Sequence, residues 1–249
     1  SRTIASWLLD RLEKLSINCS SFLKANPQKY IFAEILLGRE ALENELTKEF
    51  DYNRKSILDL KCENGISLPG ENVWEALSRL RNGQKNLDEI VTSSADLSVF
   101  DMNTRNLDIV TLAEDIISEL DLDDLEKLWE SIKKIRAIDP TCGSGAFLIA
   151  AMDSLESFLE ILLFRFREIQ KIGFTLPREI NEILRLSSRE RIAFLRRSMI
   201  MNNIFGADIA EEAVEIARLR MYLSLVSLAD TRAELIPLPD LEFNLAVGN

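Results

Sequence analysis

The sequence predicts an α/β protein with a partial doubly wound sheet, preceded by a mainly helical N-terminal region. Two observations lead to this prediction. Apolar residues at helical spacing, as in Ile4, Leu8, Leu12 and Leu15, dominate about the first 134 positions. From Ile135 onward, short apolar runs alternate with turns and helical segments. That alternation is typical of parallel strands joined by helices.

The pattern divides the chain into two predicted parts. Residues 1–102 form the helical region, and residues 103–249 form the α/β core with a helical insertion at about 153–201. The predicted helices of the core include Leu112–Leu120, Leu122–Ile135, Ala146–Met152 and Glu211–Leu228, and the predicted strands are Ile135–Ile138, Asn203–Asp208 and Phe243–Val247, with Leu235–Ile236 as a further candidate. Because the chain begins without a methionine and stops directly after an apolar run, we expect it to be a fragment.

Composition excludes several classes of function. With 249 residues, 47% of them hydrophobic, and no apolar run long enough to span a membrane or resemble a signal peptide, a globular cytoplasmic protein is expected. The absence of histidine excludes Ser-His-Asp and Cys-His triads and histidine-containing zinc sites. Three widely spaced cysteines indicate neither a disulfide framework nor a metal site, so no metal is expected.

Charge argues against strong binding of nucleic acid by this chain alone. The net charge is −11, and such a balance repels phosphate. Residues 161–201 reverse the sign, with nine basic and four acidic side chains. This basic segment is either a surface for DNA or a solvated helical face, and the sequence leaves both open.

The turn after the first predicted strand has the features of a ligand site. Gly143 and Gly145 allow a close backbone approach, and the following helix offers unpaired N–H groups. A dinucleotide fingerprint would need a third glycine where Leu148 stands. Asp139 at the strand end would repel a phosphate and would suit an ammonium group. The predicted ligand is therefore zwitterionic or cationic.

Asp208 ends the second predicted strand and supplies a complementary group. A carboxylate at that place in a doubly wound fold accepts hydrogen bonds from both ribose hydroxyls. Gly206 is expected to leave room for the ligand, and Ile209 to lie against a purine. These residues predict a nucleoside ligand. The alternative is that Asp208 is only the N-cap of the helix that follows.

Three segments carry a resemblance to a known family. The first, Asp139–Phe147, reads Asp-Pro-Thr-Cys-Gly-Ser-Gly-Ala-Phe and resembles the S-adenosylmethionine-binding motif of the amino-methyltransferases that modify adenine in DNA. The second, Asn202–Ile209 with the helix Ala213–Leu225, is similar to the second motif of the large restriction-modification members. The third, Leu238–Asn249, resembles the approach to their catalytic Asn-Pro-Pro-aromatic motif.

The resemblance implies a Rossmann-like methyltransferase core and a role for each matched residue. The residues it implies as cofactor-binding are Asp139, Pro140, Cys142, Gly143, Gly145, Phe147, Asp208, Ile209 and Asp240. Asp139 and the two glycines would surround the methionine part of S-adenosylmethionine, Asp208 would hold the ribose, and Ile209 and Asp240 would contact the adenine. Asn249 would be catalytic, its side-chain oxygen accepting a hydrogen bond from the amino group of the target adenine. Cys142 is otherwise a small residue that fills the turn.

The function implied is methyl transfer from S-adenosylmethionine to adenine N6 in a specific double-stranded DNA sequence, with most DNA contacts made outside this chain. The alternatives are a non-catalytic cofactor-binding subunit of a modification complex, a protein N-methyltransferase and, more remotely, a nicotinamide dehydrogenase. The short segment Asp59–Lys61 matches the end of a metal-dependent nuclease site, and a surface segment is its simpler interpretation.

Overall fold

The computed structural model describes residues 2–31, 73–93, 95–105, 107–228, 241 and 244–248. The chain divides into two compact units, one formed by Ser1–Arg11 and Glu114–Asn249 and the other by Leu12–Ala113. The candidate strand Leu235–Ile236 and the nuclease-like segment Asp59–Lys61 lie outside the described residues.

The described elements are numbered here in chain order. They are α1 (Arg2–Lys14), α2 (Cys19–Ala25), the 3-10 helix η1 (Pro27–Tyr30), α3 (Val73–Thr92), α4 (Val99–Thr104), α5 (Ile109–Glu119), α6 (Leu122–Lys133), β1 (Ala137–Asp139), α7 (Ala146–Lys171), α8 (Arg178–Arg185), α9 (Ser188–Asn202), β2 (Ile204–Asp208), α10 (Glu211–Val226) and β3 (Leu245–Val247).

The unit Leu12–Ala113 is helical wherever the structure describes it, as the apolar spacing predicts. Helices α2 and α4 of this unit begin at side-chain caps that are evident in the sequence. Asn18 accepts a hydrogen bond from the backbone N–H of Ser21 at the start of α2, and Ser98 and Asp101 form a reciprocal capping box at α4. Inside the unit, the backbone N–H of Leu97 donates to the buried Ser20 hydroxyl at 2.9 Å.

The other unit contains a three-stranded parallel sheet in the order β1-β2-β3. The register pairs Asp139 with Gly206 and Gly206 with Leu245. Helices α7, α8 and α9 lie between β1 and β2 in the chain, and α10 lies between β2 and β3. The predicted alternation of strands and helices is therefore confirmed as a small parallel α/β sheet within a mostly helical chain.

Helices contact mainly one face of this sheet. On that face Ile204, Gly206 and Leu245 are buried. The opposite face carries Phe205, which is part-exposed, and Ile138, which is 67% exposed. A doubly wound sheet carries helices on both faces, whereas helices cover mainly one face in the described residues. The structure therefore shows a parallel α/β sheet, and the doubly wound architecture remains a prediction.

Helix α7 departs from the predicted boundaries. The sequence predicts an insertion from about residue 153, but the helix continues unbroken to Lys171. The reason is a buried stripe that recurs every three or four residues, which keeps one side of the helix in the core over its whole length. The stripe consists of Leu148, Met152, Leu155, Leu159, Leu162, Phe166 and Ile169.

Two buried asparagines tie the strands to the preceding helices. The Asn203 side-chain NH2 donates to the backbone oxygens of Ile132 and Ile135, at 3.2 and 2.8 Å, where α6 ends and the chain enters β1. Asn244 repeats the arrangement one strand further on, where its NH2 group donates to the carbonyls of residues 200, 201 and 204. Each side chain thus donates to carbonyls at the end of a helix and to one just beyond it.

None of the described helices is both long and apolar enough to cross a membrane.

Candidate functional site

The glycine turn connects the carboxyl end of β1 to the start of α7. Gly143 and Gly145 have φ values of +50° and +76°, a region that side chains disfavour. The backbone N–H of Cys142 donates to the Ala207 carbonyl at 2.9 Å, and that of Gly145 donates to the Cys142 carbonyl at 2.8 Å. The turn is thus bonded to itself and to β2, which gives it a defined shape.

Asp208 joins the second predicted motif to the first. One carboxylate oxygen accepts a hydrogen bond from the Gly143 N–H at 2.8 Å, and the other accepts from the Ala210 N–H at 3.0 Å. These two bonds, that from Ala210 first, lower the pKa of Asp208, so the side chain is ionised at neutral pH. Helix α10 has Ala210 as its N-cap without a side-chain bond, so the N-cap alternative for Asp208 is wrong.

Asp139 lies at the end of β1 and is part-exposed. Its Oδ1 accepts a hydrogen bond from the backbone N–H of Thr141 at 3.0 Å. Its Oδ2 has no partner within the described part of the chain. A carboxylate oxygen is therefore available to a cationic group beside the turn.

Gly206 has a different role from the one predicted. A Cβ at this position would lie 2.8 Å from Cδ1 of Leu148 and 3.0 Å from Cβ of Cys142. The missing side chain therefore makes room for packing inside the protein, and the expectation that it makes room for a ligand is wrong. Sequence spacing cannot reveal this role, because it depends on where α7 packs on β2.

Cys142 has the environment of a packing residue. Its side chain is 5% exposed and lies against Gly206. Burial raises the pKa of the thiol, and the negative charges of Asp208 and Asp139 raise it further. A thiol in this state is a poor nucleophile, so the arrangement favours the interpretation of Cys142 as a residue that fills the turn.

Three large apolar side chains that are close in sequence to the turn or to Asp208 remain exposed. Phe147, on the first turn of α7, is 61% exposed, and Ile209, directly after Asp208, is 73% exposed. Ile138 of β1 adds a third side chain, 67% exposed, which sequence reasoning did not select. A flat apolar group of a ligand bound near the turn would cover Phe147 or Ile209.

The structure brings four of the predicted site residues together. Asp139, Gly143, Gly145 and Asp208 meet at the carboxyl ends of β1 and β2, while Pro140 is exposed at the rim of the turn. Asp240 and Asn249 lie outside the described residues. Among the residues that the structure describes, no cluster of three or more acidic or cysteine side chains could hold a metal ion.

Comparison with known proteins gives the family. Residues 114–240 match the family model described as the MmeI DNA-methyltransferase domain, which is half of the chain. The chain belongs to this family, and it is a methyltransferase domain of the restriction-modification type. The match includes the glycine turn and Asp208.

A relative from Methanocaldococcus jannaschii, named for a type II restriction enzyme and methyltransferase, is 33% identical over 153 residues. This match covers 60% of the present chain and 11% of the relative, so the chain spans about a tenth of the relative's length. No solved structure matches the chain significantly.

Proposed function

We propose that this chain is the S-adenosylmethionine-binding part of a DNA methyltransferase that modifies adenine N6 within a specific sequence. One observation supports this proposal above the others. The hydrogen bond from Gly143 to the Asp208 carboxylate brings the glycine turn and an ionised acid together at one edge of the sheet. That edge, outside the carboxyl ends of parallel strands, is where open α/β sheets bind ligands.

The residues present fit S-adenosylmethionine in charge and in hydrogen bonding. An ionised carboxylate offers about four acceptor positions, and Asp208 uses two of them for backbone N–H groups. The Asp208 carboxylate thus keeps acceptor capacity for the ribose hydroxyls. The available oxygen of Asp139 suits the ammonium group of the methionine part, and two carboxylates beside the turn disfavour a pyrophosphate.

When bound, S-adenosylmethionine would supply an electrophilic methyl group on its sulfonium sulfur. The chain's own residues would hold the two ends of the molecule. Asp208 would fix the ribose, Ile209 would cover one face of the adenine, and the backbone of the turn would lie along the methionine part. Exposed side chains such as Phe147 would limit the access of water to that part.

The basic segment around α8 and α9 supplies little free charge for DNA. Arg191 binds Glu160 through two hydrogen bonds of 2.9 and 3.1 Å, and Arg196 binds Glu156 at 2.5 Å. The side chains of Arg165 and Arg167 donate to backbone carbonyls, and that of residue 178 pairs with a glutamate one turn away. At least five of the nine basic side chains thus make hydrogen bonds within the chain. We therefore propose that the target DNA is bound mainly through other parts of the whole protein.

The strand order bears on the proposed role of Asn249. A doubly wound sheet places its ligand crevice where the strand order reverses. Here the order β1-β2-β3 runs in one direction, so a reversal would lie beyond β1. Asn249 follows β3, which pairs with β2, and the Gly248 N–H donates to the Asp208 carbonyl at 2.9 Å. Asn249 itself lies outside the described residues, so the contact of Gly248 with Asp208 raises a role at the nucleoside side only as an alternative to the catalytic role.

The variant Asn249→Ala separates these two roles. If Asn249 lies at the nucleoside side, we expect S-adenosylmethionine to bind about tenfold more weakly, as for the loss of one hydrogen bond. Methylation at saturating cofactor would then be retained. If Asn249 is catalytic, cofactor binding stays unchanged and the turnover rate falls. Calorimetry on the chain and single-turnover methylation by the full-length gene product measure the two quantities.

Titration calorimetry tests the proposed function itself. We expect saturable binding of S-adenosylmethionine and of S-adenosylhomocysteine to the chain, and no binding of reduced nicotinamide cofactor. Transfer of a labelled methyl group to double-stranded DNA by the full-length gene product, followed by nucleoside analysis, identifies the product. Binding of the nicotinamide cofactor alone would refute the proposal. Cofactor binding without methylation of DNA would indicate a scaffold subunit or a protein N-methyltransferase.

A further inference from the structure

Helix α10 lies directly under the glycine turn. A Cβ on Gly145 would be only 3.0 Å from Cβ of Ala217 and 3.3 Å from its Cα, so backbone and helix are in contact there. One helical turn further along, Arg220 extends to the same loop. Its Nη1 donates to the Ser144 carbonyl at 3.0 Å and lies 3.4 Å from the Ser144 hydroxyl oxygen.

The contact fixes the peptide group between Ser144 and Gly145. The N–H of this group donates to the Cys142 carbonyl, and its carbonyl accepts from Arg220. Because Gly145 has no side chain, sterics alone do not hold the peptide plane in one orientation. Arg220, 76 residues away in the chain, restrains the carbonyl side of this peptide group through its hydrogen bond to Ser144.

The remaining contacts of the turn are made by other groups. Cys142 is bonded to β2 through its N–H, and Gly143 donates to the Asp208 carboxylate. Both anchors lie on the β2 side of the turn, where the ribose is proposed to bind. The half of the turn that leads into α7, along which the methionine part is proposed to lie, has the Gly145 N–H bond within the turn and, from outside it, the hydrogen bond from Arg220.

We propose that Arg220 is a positioning residue for the cofactor, which acts through the Ser144 carbonyl to orient the turn along the methionine part. The inference rests on the proposed function and extends it to a residue outside the glycine turn. Arg220 is not expected to touch the cofactor. Loss of the Arg220 side chain should weaken the binding of ligands that have the amino-acid tail. It should leave the binding of ligands without that tail nearly unchanged.

The test compares two ligands with three variants. Arg220→Met removes the donors and keeps the length of the stem, Arg220→Lys keeps the charge and one donor group, and Arg218→Met is the matched control. Arg218 lies on the same helix, pairs with Glu215 and donates to the Leu245 carbonyl, so it holds β3 instead of the turn. Titrations use S-adenosylmethionine and methylthioadenosine, which shares the nucleoside and lacks the amino-acid tail.

We expect Arg220→Met to bind S-adenosylmethionine about tenfold more weakly, as for the loss of one charged hydrogen bond. Methylthioadenosine should bind to the same variant within about twofold of the wild type, a difference of less than half a kcal/mol. Arg220→Lys should recover most of the affinity. Arg218→Met should affect both ligands equally. In the chain without ligand, amide hydrogen exchange at Gly145 should be faster in Arg220→Met than in the wild type.

Other outcomes overturn the inference. Equal weakening of both ligands by Arg220→Met, with unchanged exchange at Gly145, would show that Arg220 only supports the fold. Unchanged binding of S-adenosylmethionine would show that it has no role. If the wild-type chain binds neither ligand, the proposed function itself fails, and the inference fails with it. Because the wild type is measured first, these failures are distinguishable.

Discussion

Replacing Asp208 with alanine is expected to weaken S-adenosylmethionine binding about 100-fold, or about 2.7 kcal/mol. The variant loses a carboxylate that can accept hydrogen bonds from both ribose hydroxyls. It also leaves the N–H of Gly143 without its acceptor, which loosens the turn on which the methionine part is proposed to lie. Titration calorimetry on the chain measures the loss directly.

A graded variant and a matched control make this result specific. Asp208→Asn keeps one acceptor oxygen, so its affinity should lie between those of wild type and Asp208→Ala. Asp123→Ala removes an aspartate of α6 whose side chain is 78% exposed and pairs with Lys127. This control should bind within about twofold of the wild type, since surface ion pairs contribute little. Wild-type affinity in Asp208→Ala would refute the ribose role.

The elements of the site are local in sequence, which is why they were predictable. A strand end, two glycines with positive φ and the start of a helix occupy the short segment Ala137–Ala146, so composition alone indicates a turn of this kind. Asp208 was equally visible, as an acid that ends an apolar run. The family match over residues 114–240 spans both segments.

The groups that hold these elements in place were not predictable. Asn203 acts on a helix end 71 residues earlier, and Asn244 acts on one 44 residues earlier. In the sequence, an asparagine that faces solvent cannot be distinguished from one that is buried against backbone carbonyls. The same reason explains Gly206, whose role follows from the packing of Leu148, and Arg220, whose partner lies in the turn.

The charge of the insertion shows a related limit. Counting side chains gives a basic segment, and a basic segment could face DNA. Helix α7, however, presents Glu156 and Glu160 to α9, where Arg196 and Arg191 bond to them. The two glutamates lie 31 and 40 residues from their arginines in the chain, so a count of charges along a short segment does not reveal the pairs. Net charge of a segment therefore predicts a binding surface only after internal pairs are subtracted.

Replacing Gly145 with alanine is expected to destabilise the fold by about 3 kcal/mol. The left-handed backbone at φ +76° disfavours any side chain, and the new methyl group would lie 3.0 Å from that of Ala217. Gly143→Ala is the matched variant, because φ is +50° there and no atom lies within 4 Å of the added carbon. Gly143→Ala should introduce only the backbone strain, so we expect it to destabilise the fold by about 1 to 2 kcal/mol.

The double variant Gly145→Ala/Ala217→Gly isolates the steric part of this effect. Removing the methyl group of Ala217 should restore about 1 to 2 kcal/mol in the Gly145→Ala background, although glycine in the middle of a helix is itself destabilising by up to about 1 kcal/mol. Urea unfolding of the four chains of the cycle gives the coupling free energy. A coupling of zero would show that the turn does not rest on α10. In that case Arg220, one turn further along the same helix, would also lack the close approach that its hydrogen bond to Ser144 requires.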